Sequence, residues 1–161
     1  MTIRPERAGD AGAIRAVLTA AFETSAEADL VERLRADGDL VLALVAEHGG
    51  AIRGTIAFAR LRIDTAKAVG LAPLAVVPDA RRQGIGGALV REGLRLLAAQ
   101  DEQLIFVLGA PAYYRRFGFD RAAARAFACK YAGDHFMALR VGDNAPLRGE
   151  VRYPAAFDGP G

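Results

Sequence analysis

Cysteine is almost absent from this 161-residue chain: Cys129 is the only one. No intramolecular disulfide can form, and so sparing a use of thiols points to a reducing compartment, so a cytoplasmic location is expected. Apolar runs are short. None approaches the about 20 residues of a membrane span, and Met1-Thr-Ile-Arg-Pro5 lacks the apolar centre of a secretory signal. The expectation is a soluble protein with no membrane partner. Neither sign of charge dominates: Lys+Arg number 21 against 19 Asp+Glu, for a net +2, and the arginines are scattered. No nucleic-acid partner is therefore expected. No repeat, linker or low-complexity segment interrupts the chain. What is present, 52% hydrophobic and 25% charged, suits a single domain over residues 1–161, with residues 158–161 expected to fray.

The most informative stretch runs from Leu71 to Leu94. Leu71 to Val77 is uncharged and apolar, the pattern of a short strand buried on both faces, and Pro78-Asp79 ends it with turn chemistry. Arg81, Arg82, Gln83, Gly84, Ile85, Gly86 and Gly87 then lead into a helical pattern whose apolar face carries Ile85, Leu89 and Leu96. A strand turning through glycines into a helix N-terminus is suited to an anion. The first helical amides lack partners, the macrodipole adds positive potential, and glycine leaves no Cβ in the way. Arg81 and Arg82 would add fixed charge. On the glycines alone, a tight turn with close helix–sheet packing stays open as the alternative. Two phosphate loops are excluded. No Gly-Lys-Ser/Thr follows, as a Walker A loop needs, and Leu89 stands where a dinucleotide fingerprint needs its third glycine.

Around this stretch the chain reads as one mixed α/β domain. Thr2–Arg4 is a short strand closed by Pro5. A helix follows with Ile14, Val17, Leu18 and Phe22 at helical spacing and Asp10 as N-cap, then a second from Ser25 to Asp37-Gly38. Leu40–Glu47 and Ala51–Ile63 form a hairpin across Gly49-Gly50. Pro73 lacks an N–H for a ladder and marks an irregularity or a start in the next strand. Gln103–Leu108 is reached through the Gly84 helix, so it should run parallel to the preceding strand. Pro111 opens a short helix, and Phe127–Tyr131, Phe136–Val141 and Val151–Tyr153 supply late strand material.

The pattern Arg81-x-x-Gly84-x-Gly86 after Leu74-Ala-Val-Val-Pro78 resembles the acyl-CoA loop of the GCN5-related N-acetyltransferases (the GNAT superfamily). Tyr113-Tyr-Arg-Arg-Phe-Gly-Phe119 is similar to the family's Tyr-x-x-x-Gly-Phe element, here Tyr114, Gly118 and Phe119. With Leu104–Leu108 and Gly149–Phe157, the chain is most similar to the YhbS-like branch. The resemblance implies a central mixed, mostly antiparallel sheet with flanking helices. It also implies an acetyl-CoA-dependent N-acetyltransferase, without metal, acting on a primary amine of a small molecule or peptide through a ternary complex. A homodimer is compatible with it. The alternative is an acyl-CoA-binding sensor or scaffold of the same fold without turnover.

By the resemblance, the backbone of Ala75, Val76 and Val77 pairs with pantetheine, and Arg81 to Gly87 grip the pyrophosphate. Tyr114 is the general acid for the leaving thiolate, with Tyr113 expected to face elsewhere. Core packing of Tyr114 near Phe117 and Phe119 is the competing explanation. No carboxylate occurs between Ala68 and Val77 to serve as base. Glu23 or Asp64 through a water chain, or capture of neutral amine, would have to serve. Glu23, Glu27 and Asp29 are candidate amine contacts, or else caps and solvated groups. His48, Cys129 and the Asp134-His135 pair carry no clear catalytic signal.

Overall fold

The computed structural model describes residues 1–159; Pro160 and Gly161, the end of the tail expected to fray, lie outside it. One sheet organises the chain. Its path runs β1 (Thr2–Pro5), β2 (Leu40–His48), β3 (Ala51–Ile63), β4 (Ala66–Val76), β5 (Leu104–Leu108) and β7 (Phe136–Arg140). Two short strands extend it: β8 (Gly149–Arg152) pairs with both β3 and β6 (Phe127–Ala128). All pairs are antiparallel except β4–β5 and β6–β8, so the mixed, mostly antiparallel sheet stands as expected.

Side-chain alternation on β3 sorts the helices onto two faces. Ile56 and Phe58 point toward α3 (Ile85–Ala99), joining Leu89, Val90 and Leu97 in the largest core cluster. Ala57, Ala59, Leu61 and Ile63 point the other way. There Ala57 packs with α1 (Ala11–Phe22) and α2 (Ala26–Asp37), and Leu61 and Ile63 pack with Phe127, Phe136 and Val151. The α3 contact is close: a Cβ on Gly93 would stand 2.5 Å from the Phe58 ring. The hairpin glycines behave as their type requires, Gly49 and Gly50 both in the left-handed region, which matches the twist of a two-residue connection.

Two local expectations differ from the structure, and one short helix was not expected. Asp10 does not cap α1, because a 3-10 turn (Ala8–Asp10) precedes the helix. Its carboxylate instead accepts from the Arg7 amide at 2.6 Å and from the Arg4 guanidinium at 2.8 Å. Of Phe127–Tyr131 only Phe127–Ala128 pairs as strand, with Gly149 and Glu150 of β8. A short helix, α5 (Arg121–Ala124), forms before it, with the Asp120 carboxylate accepting from the Ala122 amide.

Candidate active site

The site begins with a fault in β4. Ile56 pairs with Leu74 but Phe58 pairs with Leu71, so β4 carries one more residue than β3 across this interval. The bulge falls at Ala72-Pro73, where proline supplies no donor. On its other edge β4 pairs with β5 only from Val69 to Leu71. Beyond Leu71 that edge is open. The Val77 amide donates to Arg53 O at 2.9 Å, toward β3. Strand alternation then turns Ala75 toward β3 as well, and turns the N–H and C=O of Leu74 and Val76 toward the open edge. Of the three residues expected to face an extended ligand, Val76 alone offers its backbone. Leu74, which the sequence motif does not single out, offers its backbone there too, because the parity depends on the register with β3.

At the end of β4 the chain makes a 3-10 turn (Pro78–Ala80) and enters α3 through two left-handed residues, Arg82 (φ 65°) and Gly84 (φ 81°). The first helical bond runs from the Ala88 amide to Gly84 O, so the amides of Ile85, Gly86 and Gly87 have no intrahelical acceptor. Leu74, Val76 and this loop wall a cavity of about 520 Å³. Arg82 is exposed at its rim and Gln83 is exposed beside it. Arg81 is partly engaged: its guanidinium donates to Val76 O at 3.3 Å and to Ala21 O at 3.2 Å, tying the loop to α1.

The opposite wall comes from α4 (Pro111–Tyr114) and the 3-10 turn after it (Arg115–Phe117). Tyr113 does not face away from the cavity as expected. It lines it, with its hydroxyl 2.8 Å from where a Cβ on Gly86 would stand and the Arg116 guanidinium 4.6 Å from its ring centre. Tyr114 stands behind, packed edge-on against Phe119 with centroids 5.9 Å apart and lying over Gly109, the residue after β5. Both readings of Tyr114 therefore have a basis: its ring is packed, yet no described residue takes its hydroxyl proton and the oxygen is not sealed from solvent. Burial, with Tyr113 close by, pushes its phenol up to about 12.

The remaining candidates separate by place. Asp64 lies in the turn at the far end of β4, more than about 20 Å along the strand from where the edge opens, too far for a short water chain. Glu23 ends α1 in a left-handed conformation (φ 61°), two residues after the Ala21 carbonyl that Arg81 holds. The Glu27 carboxylate accepts from the Thr24 hydroxyl and Asp29 pairs with Arg15 at 2.9 Å, which are local roles. Burial pushes the Cys129 thiol up, against nucleophilic use. Among the described residues no group of three or more His, Cys, Asp or Glu could hold a metal, and no helix is long and apolar enough to cross a membrane.

An open strand edge beside free amides at a helix start defines a protein that takes an extended ligand with an anionic segment. The Acetyltransferase (GNAT) domain model matches residues 39–121. The chain is 40% identical over 165 residues to the uncharacterized N-acetyltransferase YhbS of Escherichia coli (strain K12), a match spanning 98% of this chain and 99% of that one. The structure of the Escherichia coli YhbS protein in complex with CoA superposes with a TM-score of 0.90 at 39% identity, over 98% of this chain and 91% of that one. A GNAT family acetyltransferase from Brucella melitensis in complex with acetyl-CoA gives 0.84 at 40% identity, over 98% and 97%. The chain belongs to the GNAT family of N-acetyltransferases, and its likeness to YhbS extends over nearly its whole length.

Proposed function

We propose that the protein moves an acetyl group from acetyl-CoA directly to the primary amine of a small molecule or peptide, with both substrates held at once. The open edge of β4 next to the start of α3 carries this reading. The amides of Ile85, Gly86 and Gly87, with Arg82 at the rim, fit a pyrophosphate. The outward N–H and C=O of Leu74 and Val76 fit the amides of a pantetheine arm laid down as an added strand. For that arm to reach Val76 O, Arg81 must release it. Bound there, acetyl-CoA supplies a thioester whose carbonyl accepts the amine and whose thiolate departs. An outward amide of β4 polarises the carbonyl, in the manner of an oxyanion hole. The two similar proteins solved with CoA or acetyl-CoA support the choice of ligand.

Tyr114 is the donor to the departing sulfur. A phenol near 12 facing a thiol near 8.5 makes full proton transfer uphill by roughly 5 kcal/mol. Its contribution is therefore a hydrogen bond that strengthens as negative charge builds on sulfur, with the proton moving late. No carboxylate borders the slot on β4, so the nucleophile is the neutral fraction of the amine; the proton that it loses on becoming an amide passes to solvent, from which Tyr114 regains its own. A thiol-release assay on a panel of amines tests this. Tyr114→Phe should lower kcat roughly ten- to a hundred-fold while leaving acetyl-CoA affinity unchanged. An equal loss of affinity, or no loss of turnover, would contradict the assignment.

A further inference from the structure

On the face of the sheet away from α3 lies a second cavity, of about 250 Å³, lined by Arg121, Arg125, Phe127, Asp134 and Phe136 among others. Arg121 and Arg125 stand one helical turn apart at α5 and so share a side of it. Among the described residues neither makes an ion pair, even with Asp134 in the same cavity. Two guanidinium groups against one carboxylate leave the cavity net positive, over a floor of Phe127 and Phe136. Unpaired guanidinium groups side by side suit a carboxylate, which they can hold by forked hydrogen bonds.

The cavity is connected to the proposed reaction centre by backbone contacts. The Gly109 amide donates to His135 O at 3.0 Å, and His135 Nδ1 lies 3.2 Å from Gly109 O. Gly109 is also the residue on which the Tyr114 ring rests. The segment that follows Asp134 is thus fastened to the end of β5, where β4 has already parted from it. Phe136 pairs with Leu108 at that same end. At Leu71, the last β4 residue paired with β5, β4 and β7 are two strand spacings apart, about 10 Å.

We propose that this cavity holds a carboxylate of the acceptor, so that the acceptor class is an amine carrying an acid group about 10 Å from the reacting nitrogen. This rests on the acetyltransferase reading above and assigns its second substrate. The α3 face is taken up by the loop cavity, so the amine enters from the face that carries Arg121 and Arg125. An extended tripeptide spans about 10 Å from its amino to its carboxyl end, so a short peptide with a free C-terminus fits both places at once.

Triglycine and triglycine amide probe this directly, since they differ in the carboxylate and share the amine. With the full-length protein saturated with CoA, triglycine should bind at least ten-fold more tightly than its amide, and with acetyl-CoA its kcat/KM should exceed the amide's by a similar factor. Arg121→Gln with Arg125→Gln should bring both ratios near one and leave acetyl-CoA affinity and turnover of the amide unchanged. Asp134→Asn should raise them, by removing a like charge from the cavity; a merely structural role would not produce these opposite signs. Equal binding of the two peptides, an equal loss of both in the arginine variant, or failure of either to bind while CoA binds would overturn the proposal. Failure to bind CoA or acetyl-CoA would instead defeat the acetyltransferase reading, and the acid-over-amide preference could still be measured without CoA.

Discussion

Tyr113 and Tyr114 are neighbours in sequence with different tasks, and each task follows from what surrounds its ring. Tyr113 presents its hydroxyl to the glycine loop beneath the Arg116 guanidinium. Tyr113→Phe should therefore raise the Kd for acetyl-CoA a few-fold with little change in kcat, by calorimetry and steady-state kinetics. Tyr114 acts in its neutral form, which persists until pH passes about 12. Its titration contributes no descending limb at ordinary assay pH. With an α-amino acceptor such as triglycine, the pH profile of kcat/KM should rise as the amine loses its proton at about pH 8 and then stay flat to about pH 10. A fall with a midpoint below pH 10 would mean that another group donates the proton. The contrast between the two tyrosines was not legible in the sequence: helical spacing says that neighbours point apart, but not which one meets the loop. That was settled by how α4 lands on α3, a contact between segments far apart in the chain.

At the scale of elements, α3 is held by a close fit as well as by area. With Gly93 lying against Phe58, Gly93→Ala forces a Cβ into a ring that is boxed in by the sheet. The expected cost is about 1–3 kcal/mol, a fall in Tm of roughly 3–10 °C by calorimetric melting. An unchanged Tm would show that the helix can shift without penalty. The elements whose signals are local were legible: the Gly49-Gly50 hairpin, the β4 irregularity at Pro73, the helix opening after Gly84, and the parallel β4–β5 pair. Elements defined by a partner were not. Phe127–Tyr131 alternates as a strand should, yet only Phe127 and Ala128 pair with β8, and the chain then turns, the Ala132 amide donating to Cys129 O at 3.0 Å. Which backbone groups of β4 face its open edge likewise depends on register with β3, which places Leu74 and Val76 outward and turns the Val77 amide toward β3.

Across the whole molecule, charge acts mainly to fasten segments. Arg60 holds Glu102 by two hydrogen bonds of 2.9 and 2.7 Å, joining β3 to the entry of β5. Arg4 holds both Asp10 and Glu47, joining β1, the first turn and β2. The Arg4 guanidinium and the Arg7 amide lower the Asp10 carboxyl to about 2. A depressed carboxylate stabilises the fold above its ordinary value, and that contribution is lost as pH falls from about 4 toward 2. Asp10→Asn should thus be less stable than the parent at pH 7, with the gap closing near pH 2, in urea melts at each pH. A gap independent of pH would remove the ion pair from the account. None of this network was foreseen beyond Asp10, and Asp10 only as a cap, because its partners are brought together by the β1–β2 pairing. The fold class and the family motifs were legible because they sit in two short blocks. The second cavity was not, although its walls all lie within residues 121–136, since how α5 and the start of β7 come together depends on the sheet they pack against and not on spacing in the chain.

The most direct test of the central claim is calorimetric titration of the protein and of Gly84→Glu with acetyl-CoA, CoA and NADH. Micromolar binding of both CoA forms, none of NADH, and loss of both in the variant is the expected result. In the variant, bulk, negative charge and a left-handed backbone at φ 81° all oppose the loop's conformation and its ligand. Failure of the parent protein to bind either CoA form, or unchanged affinity in Gly84→Glu, would contradict a cofactor site at the start of α3.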